Sequence, residues 1–198
     1  MIKEKELKLA LSKEEYNSLL NSKNKIKKIL QTNHYFDTKN YDLQNKNITL
    51  RIRNEVNRYQ LTLKLKMKEI NSVVHSNEFN YDITYEEYQQ AIKDPHFIMQ
   101  LLGNEATLFI CNTGIDFSHI NYLGKIENLR ASFEGLDRLN FHLDKTLYPN
   151  NNTEYELEIE DIHDVEKSLF ELRDIYNIKG KKSAGSKYSR FIKYLHIH

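Results

Sequence analysis

Residues 3–9 read Lys-Glu-Lys-Glu-Leu-Lys-Leu, and their alternation is the first indication of how the chain folds. In a β-strand, side chains two positions apart point to the same side of the sheet. Glu4, Glu6 and Lys8 therefore share one face, and the leucines at the alternate positions share the other. Apolar and polar residues that alternate in this way indicate a strand with an apolar face that needs a core.

The same period recurs along the chain, and between the strand-like segments there are patterns typical of helices. Strong strand patterns cover Ile48–Arg53, Tyr59–Met67 and Glu154–Glu160, and weaker ones cover His34–Thr38, Val73–Asp82, Thr107–Cys111, Asn121–Phe133 and Leu139–Leu143. Capping signals and apolar periodicity predict helices over Lys13–Asn21, Tyr85–Lys93, a segment from Pro95 to Gly103, Val165–Asn177 and Ser186–Leu195.

These elements predict an α+β fold in which hairpin-like spacing favours a mainly antiparallel sheet. Eight or nine strands would leave long edges exposed unless the sheet closed on itself. We therefore expect an antiparallel eight-stranded β-barrel with helices packed outside. Because the chain has 198 residues and no low-complexity linker, we expect residues 1–198 to form a single domain.

Composition narrows the class of protein. The 29 basic and 28 acidic residues leave a net charge of +1, so a nucleic-acid partner is not expected. Cys111 is the one cysteine, which excludes an intrachain disulfide and favours a reducing compartment. No apolar run has the length of a signal peptide or a membrane span, so we expect a cytoplasmic protein without membrane association. Cys111 lies in an apolar stretch, and we expect it in the core.

The charged faces of the strands are grouped by sign. Arg51 and Arg53 share a face, Lys64 and Lys66 share another, and the row from Glu154 to Glu160 places four glutamates on one side. One interpretation is that these faces meet water, as in many antiparallel sheets. The other is a polyanion site, in which carboxylates bind Mg²⁺ or Mn²⁺ and cations bind phosphate oxygens. The period alone leaves both open.

Taken in order, these residues resemble the CYTH family, also called triphosphate tunnel metalloenzymes. The matching segments run through nearly the whole chain. They are Glu4-Lys5-Glu6-Leu7-Lys8, His34–Thr38, Leu50-Arg51-Ile52-Arg53, Leu61-Thr62-Leu63-Lys64, Glu78, Arg130, Asp144, Tyr155-Glu156-Leu157-Glu158 and the helix start at Ser186–Arg190.

The resemblance implies a barrel that forms a tunnel and binds a linear triphosphate: inorganic tripolyphosphate, thiamine triphosphate or a nucleoside triphosphate. It implies hydrolysis of a phosphoanhydride bond with Mg²⁺ or Mn²⁺ as cofactor. The implied metal ligands are Glu4, Glu6, Asp144, Glu156 and Glu158. The implied substrate-binding residues are Lys8, Arg51, Arg53, Lys64, Lys66, Arg130, Lys187 and Arg190, and the implied catalytic residues are Glu4, Glu6, Lys8 and Lys64.

Two departures from the family pattern are visible. Asn128 stands where many relatives have lysine, so one phosphate contact is expected to be lost. In the row of glutamates, Glu156 and Glu158 are the favoured ligand pair, with Glu154 and Glu160 at the ends. Two alternatives to the hydrolase stay open at this point: an adenylate cyclase that uses the same site, and a polyphosphate- or nucleotide-binding module without turnover. Because the family includes RNA triphosphatases, a triphosphorylated RNA end also stays open as a substrate of the hydrolase. The oligomeric state, monomer or homodimer, also stays open.

Overall fold

The structure, a computed structural model, describes residues 1–22, 26–70, 73–135 and 138–196. Its strands are β1 (Ile2–Leu11), β2 (Lys27–Thr38), β3 (Ile48–Glu55), β4 (Arg58–Ile70), β5 (Val73–Ile83), β6 (Ile120–Glu134), β7 (Asn140–Leu147), β8 (Thr153–Glu160) and β9 (Lys181–Lys182). Its α-helices are α1 (Lys13–Asn21), α2 (Asp42–Asn45), α3 (Tyr85–Lys93), α4 (Ile98–Leu101), α5 (Asn104–Thr113), α6 (Val165–Tyr176) and α7 (Lys187–Leu195).

The strands form one hydrogen-bonded series in the order β5-β4-β3-β2-β6-β7-β8-β1-β9, and β5 also pairs with β1. The pairings β1–β8, β2–β3, β3–β4, β6–β7 and β7–β8 are antiparallel. The eight long strands therefore have the closed antiparallel order of a barrel, and the predicted α+β class is confirmed.

Local capping explains where the helices begin. Ser12 and Glu15 exchange side-chain and backbone hydrogen bonds at the start of α1, and Thr84 and Glu87 do the same at the start of α3. Asp37, buried at the end of β2, accepts hydrogen bonds from the backbone N–H groups of Leu43 and Gln44 and so holds the turn into α2. Each capping bond satisfies a backbone donor that the helix itself leaves unpaired.

The described residues group into two compact units. The first unit comprises Met1–Lys3, Gln31–Met67 and Ser76–Ile126. In it, the apolar faces of β3 and β4, with Leu50, Ile52 and Leu63, pack with residues of α3 to α5. The alternate positions of these strands carry the arginines and lysines predicted from the sequence.

The second unit comprises Glu4–Leu30, Lys68–His75 and Glu127–His198. Leu7 and Leu9 of β1 and Leu157 and Ile159 of β8 are buried in one core with residues of α1 and α6. Helices therefore cover the apolar face of the strands in this unit, as they do in the first.

One strand prediction was wrong. Thr107–Cys111 belongs to helix α5, which begins after Gly103 and ends at Gly114 in the left-handed conformation, with φ of 71°. Ala106 and Ile110, four positions apart, are the residues buried in its core-facing side, so the helical period decides the structure. Cys111 is consequently exposed, not in the core as expected.

The segment from Pro95 to Gly103 also differs from the single predicted helix. It divides into a 3₁₀ turn, Pro95–Phe97, and the short helix α4. Asp94 accepts a hydrogen bond from the backbone N–H of His96 at its start. Among the residues that the structure describes, no helix combines the length and the apolar character needed to cross a membrane.

Candidate functional site

The register of the second unit brings charged side chains from separate strands side by side. Arg130 of β6 lies opposite Asp144 of β7, and Asp144 lies opposite Glu156 of β8. Glu158 in turn pairs with Lys8 of β1. Side chains directly opposite each other in an antiparallel pair are close neighbours, so this register creates one continuous charged surface.

This charged surface is buried. Glu6, Asp144, Glu156 and Glu158 expose 3%, 0%, 1% and 4% of their surface. Carboxylates are almost never this deeply buried unless they are paired with cations. The interpretation of these strand faces as ordinary solvent-exposed faces therefore fails for the second unit.

Lys8 and Arg130 supply two of the paired cations. The Lys8 Nζ atom lies 2.7 Å from Glu158 Oε1 and 3.1 Å from Glu6 Oε1. Arg130 donates to both oxygens of Asp144, at 2.8 Å from Nε and 2.6 Å from Nη2, and also contacts Glu158. This bidentate geometry is the strongest form of arginine–carboxylate contact.

Helix α7 and the segment before it supply the remaining partners. The Lys187 Nζ atom lies 2.8 Å from Asp144, 2.6 Å from Glu156 and 2.6 Å from Glu158. Arg190 Nη2 lies 2.8 Å from Glu156, and Ser183 donates its hydroxyl to the same carboxylate at 2.5 Å. Ser183 was not singled out from the sequence, because a lone serine before a helix carries no periodic signal.

These contacts keep the groups ionised. Burial by itself would raise the pKa of the Asp144 and Glu158 carboxyls, but nearby Arg130 and Lys187 outweigh it and lower both pKa values. Burial would lower the pKa of Lys8 and Lys187, but the surrounding carboxylates raise both. The site is therefore a network of full charges in a region of low dielectric constant.

Three carboxylates of this network lie close enough together to hold a metal ion. Ligand oxygens of Asp144, Glu156 and Glu158 all lie within 4.8 Å of one another. Carboxylate oxygens are hard ligands, so this donor set fits Mg²⁺ or Mn²⁺. Buried Glu6 lies beside Lys8, and half-buried Glu4 is two positions earlier on β1.

The ends of the glutamate row have other partners. Glu154 accepts hydrogen bonds from Arg190 and from the Tyr194 hydroxyl, each at 2.7 Å. Glu160 lies 3.1 Å from His142, and this contact lowers its pKa. The carboxylate group therefore contains the two glutamates favoured from the sequence and neither terminal one.

Asn128 has a structural role that the sequence did not indicate. Its Nδ2 donates to Asp144 Oδ1 at 3.0 Å, and its Oδ1 accepts from Thr146 at 2.7 Å. The amide is 1% exposed. It therefore orients a proposed metal ligand, and this function depends on the β6–β7 register, which no local pattern encodes.

The first unit contains the other predicted cations. Lys64 Nζ lies 3.0 Å from Glu78, which also accepts from Asn80 at 3.1 Å. Burial opposes ionisation of Glu78, but Lys64 and Arg51 outweigh it and lower its pKa to about 2. Arg53 donates from Nε to Asn33 at 3.0 Å.

Two predicted cations of this unit differ in their surroundings. The Nε atom of Arg51 is buried and makes no hydrogen bond among the described residues, which leaves a guanidinium donor available for an acceptor. Lys66, the next lysine along β4 after Lys64, is exposed. Arg51, Arg53 and Lys64 are thus the partly buried members of the predicted set in this unit.

A buried network of carboxylates, lysines and arginines on antiparallel strands defines the class of site. The CYTH domain family matches residues 3–192 of this chain. The chain belongs to the CYTH family. Among curated protein sequences, no relative matches it.

Several solved structures have the same fold. A protein from Hippeastrum, described as an adenylyl cyclase candidate that reveals a dominant triphosphatase activity, is 27% identical, with a TM-score of 0.83 over 96% of this chain and 95% of that chain. An adenylate cyclase candidate from Bacillus halodurans is 23% identical, with a TM-score of 0.77 over 96% and 99%. The PH1819 protein of Pyrococcus horikoshii is 12% identical, with a TM-score of 0.57 over 95% and 98%.

Proposed function

We propose that this protein is a metal-dependent phosphohydrolase that cleaves a phosphoanhydride bond of a linear triphosphate. The observation that carries the proposal is the buried group of Asp144, Glu156 and Glu158, within 4.8 Å of one another and in contact with Lys8, Arg130 and Lys187. In one place, the carboxylates can bind a metal ion and the lysine and arginine side chains can bind phosphate oxygens, which suits a metal-bound polyphosphate.

Asp144, Glu156 and Glu158 are the residues that would hold Mg²⁺ or Mn²⁺, with Glu4 and Glu6 as further proposed ligands on β1. Magnesium in proteins commonly uses one or two carboxylates together with substrate phosphates. When bound, the ion supplies charge neutralisation at the phosphoryl oxygens.

The phosphate-binding residues of the second unit are proposed to be Lys8, Arg130, Lys187 and Arg190. Those of the first unit are proposed to be Arg51, Arg53, Lys64 and Lys66. The buried, unpaired Nε of Arg51 supports this assignment, because buried donors in proteins are nearly always satisfied. A phosphate oxygen would satisfy it.

Phosphoryl transfer requires little covalent chemistry from the protein. Lys8 and Lys64 are proposed to balance the charge that spreads over the transferred group. Glu4 and Glu6 are proposed to orient the attacking water. Glu6 lies beside Lys8, at 3.1 Å, so a carboxylate and a phosphate-binding cation are adjacent on β1. A preorganised cation at such a position contributes several kcal/mol, about 3–4, to transition-state stabilisation.

The Hippeastrum protein, with its dominant triphosphatase activity, favours hydrolysis as the reaction of this chain. The same protein is also an adenylyl cyclase candidate, so the second candidate function is cyclisation of ATP with loss of pyrophosphate. The two reactions differ in product, orthophosphate or pyrophosphate. We propose that residues 1–198 carry the activity as a single domain.

The test is product release from inorganic tripolyphosphate, thiamine triphosphate and ATP, each with Mg²⁺, Mn²⁺ or a chelator. Orthophosphate release that a chelator abolishes is the expected result, and the preferred compound identifies the substrate. Release of pyrophosphate together with cyclic AMP would show that the protein is a cyclase and not a hydrolase. Binding of tripolyphosphate in a thermal-shift assay without any product would show that it is a binding module without catalytic activity.

A further inference from the structure

Lys187 has a contact pattern that distinguishes it from the other cations of the second unit. Its Nζ atom lies 2.6–2.8 Å from Asp144, Glu156 and Glu158, the same three carboxylates that could hold a metal ion. Among the described residues, no other cation contacts all three. Arg130 contacts Asp144 and Glu158, and Lys8 contacts Glu158 and Glu6.

An ammonium and a divalent cation have incompatible demands on these oxygens. Mg²⁺ needs its ligand oxygens at about 2.0–2.1 Å in near-octahedral order, so oxygens turned toward it cannot also surround an ammonium. Two cations within a few Å in a buried region also repel each other strongly. The ammonium of Lys187 therefore lies where the charge of a metal ion would be needed.

We propose that Lys187 is an internal competitor of the metal: its ammonium group balances the charge of the three carboxylates and must leave them when a divalent cation binds. The inference rests on the proposed function, which supplies that cation. It adds that the affinity for metal alone is held down by a residue of the chain itself. The released ammonium then becomes available to phosphate oxygens, so the metal and the triphosphate favour each other's binding.

The surroundings of Lys187 allow its side chain to move while the helix stays. Lys187 is the first residue of α7, after the N-cap Ser186. Tyr188, Phe191 and Ile192 of the same helix are buried, and Arg190 contacts Glu154 and Glu156. The flexible four-carbon stem of a lysine can swing between partners without displacing an anchored helix.

The first experiment measures binding of Mn²⁺ alone, without any triphosphate, to the wild type and to Lys187→Met. Methionine is unbranched and one atom shorter than lysine, so the variant keeps most of the side chain and removes the charge. We expect the variant to bind Mn²⁺ at least about tenfold more tightly, because the hydrogen bonds from the Lys187 ammonium group to the carboxylates no longer have to be broken when the ion binds. Lys193→Met is the matched control, an exposed lysine on the same helix, and should bind Mn²⁺ like the wild type.

Equal or weaker Mn²⁺ binding by Lys187→Met would overturn the proposal, and so would no binding to either protein. A second measurement uses only the wild type, in case the variant fails to fold. Labelling with an amine-acetylating reagent should modify Lys187 slowly without metal and several-fold faster with Mg²⁺, while Lys193 stays constant. Unchanged labelling of Lys187 at saturating Mg²⁺ would also refute it. Neither measurement depends on turnover. The competition between Lys187 and the metal can therefore be tested even if the protein does not catalyse the proposed reaction.

Discussion

Replacing Glu156 by glutamine tests the proposed site most directly. Glu156 accepts from Lys187 at 2.6 Å, from Arg190 at 2.8 Å and from Ser183 at 2.5 Å, and it belongs to the buried carboxylate group. The substitution keeps the shape of the side chain, removes one negative charge and turns an amide donor toward cationic neighbours.

The cost in stability can be bounded from the remaining contacts. Lys187 keeps Asp144 and Glu158, and Arg190 keeps Glu154. Both of these cations therefore keep a carboxylate partner. A hydrogen bond to a charged group contributes about 1.5–3 kcal/mol, so we expect the free energy of unfolding to fall by about 2–4 kcal/mol. This is smaller than the loss expected when a buried pair is broken outright, about 3–5 kcal/mol.

The variant should lose most of its activity although the protein stays folded. Residues that only support a metal ligand cost 10- to 100-fold when they are changed, so loss of a ligand should lower turnover by at least about 100-fold. The assay is metal-dependent phosphate release from tripolyphosphate, with thermal unfolding measured on the same sample. Glu160→Gln is the matched control, because Glu160 lies on the same face of β8 but pairs with His142 outside the carboxylate group. Full metal-dependent activity in Glu156→Gln, with the protein folded, would refute the assignment.

Three further predictions follow from individual residues. Arg51→Ala should weaken binding of tripolyphosphate by about 10- to 100-fold, and it should weaken binding of orthophosphate less. Arg58→Ala, which changes an exposed arginine, should leave the binding of both anions unchanged. Equal losses for both anions in Arg51→Ala would contradict a triphosphate site. Burial and then Lys125 lower the pKa of His34 to about 4 from 6.5, so the unfolded chain binds more protons between these pH values. The free energy of unfolding should therefore fall by about 1.4 kcal/mol per pH unit as the pH drops through this window. If the free energy of unfolding changed equally with pH in the wild type and in His34→Gln from pH 7 to 4, this prediction would be wrong. Asn128→Ala should lower Mn²⁺ affinity by about 10- to 100-fold because Asp144 loses an orienting donor, and calorimetry that shows unchanged affinity would assign Asn128 a packing role.

Local sequence determined much of the fold. Strict alternation at β1, β3, β4 and β8 identified the strands and correctly divided their apolar from their charged positions, because a strand has a period of two. Capping boxes identified the starts of α1 and α3, because the hydrogen bonds that form them join residues three positions apart. The strand prediction for Thr107–Cys111 was wrong, because a short apolar run is compatible with a strand and with a helix.

Tertiary structure alone decided which charged residues meet and whether water reaches them. Alternation looks the same on a solvent-exposed and on a buried charged face, and only the folded sheet shows Asp144 at 0% and Glu156 at 1% exposure. The contacts of Lys187 with Glu156 and of Asn128 with Asp144 join residues 31 and 16 positions apart. Such contacts depend on strand register and on the docking of α7, which arise from packing of the whole core and have no local signature in the chain.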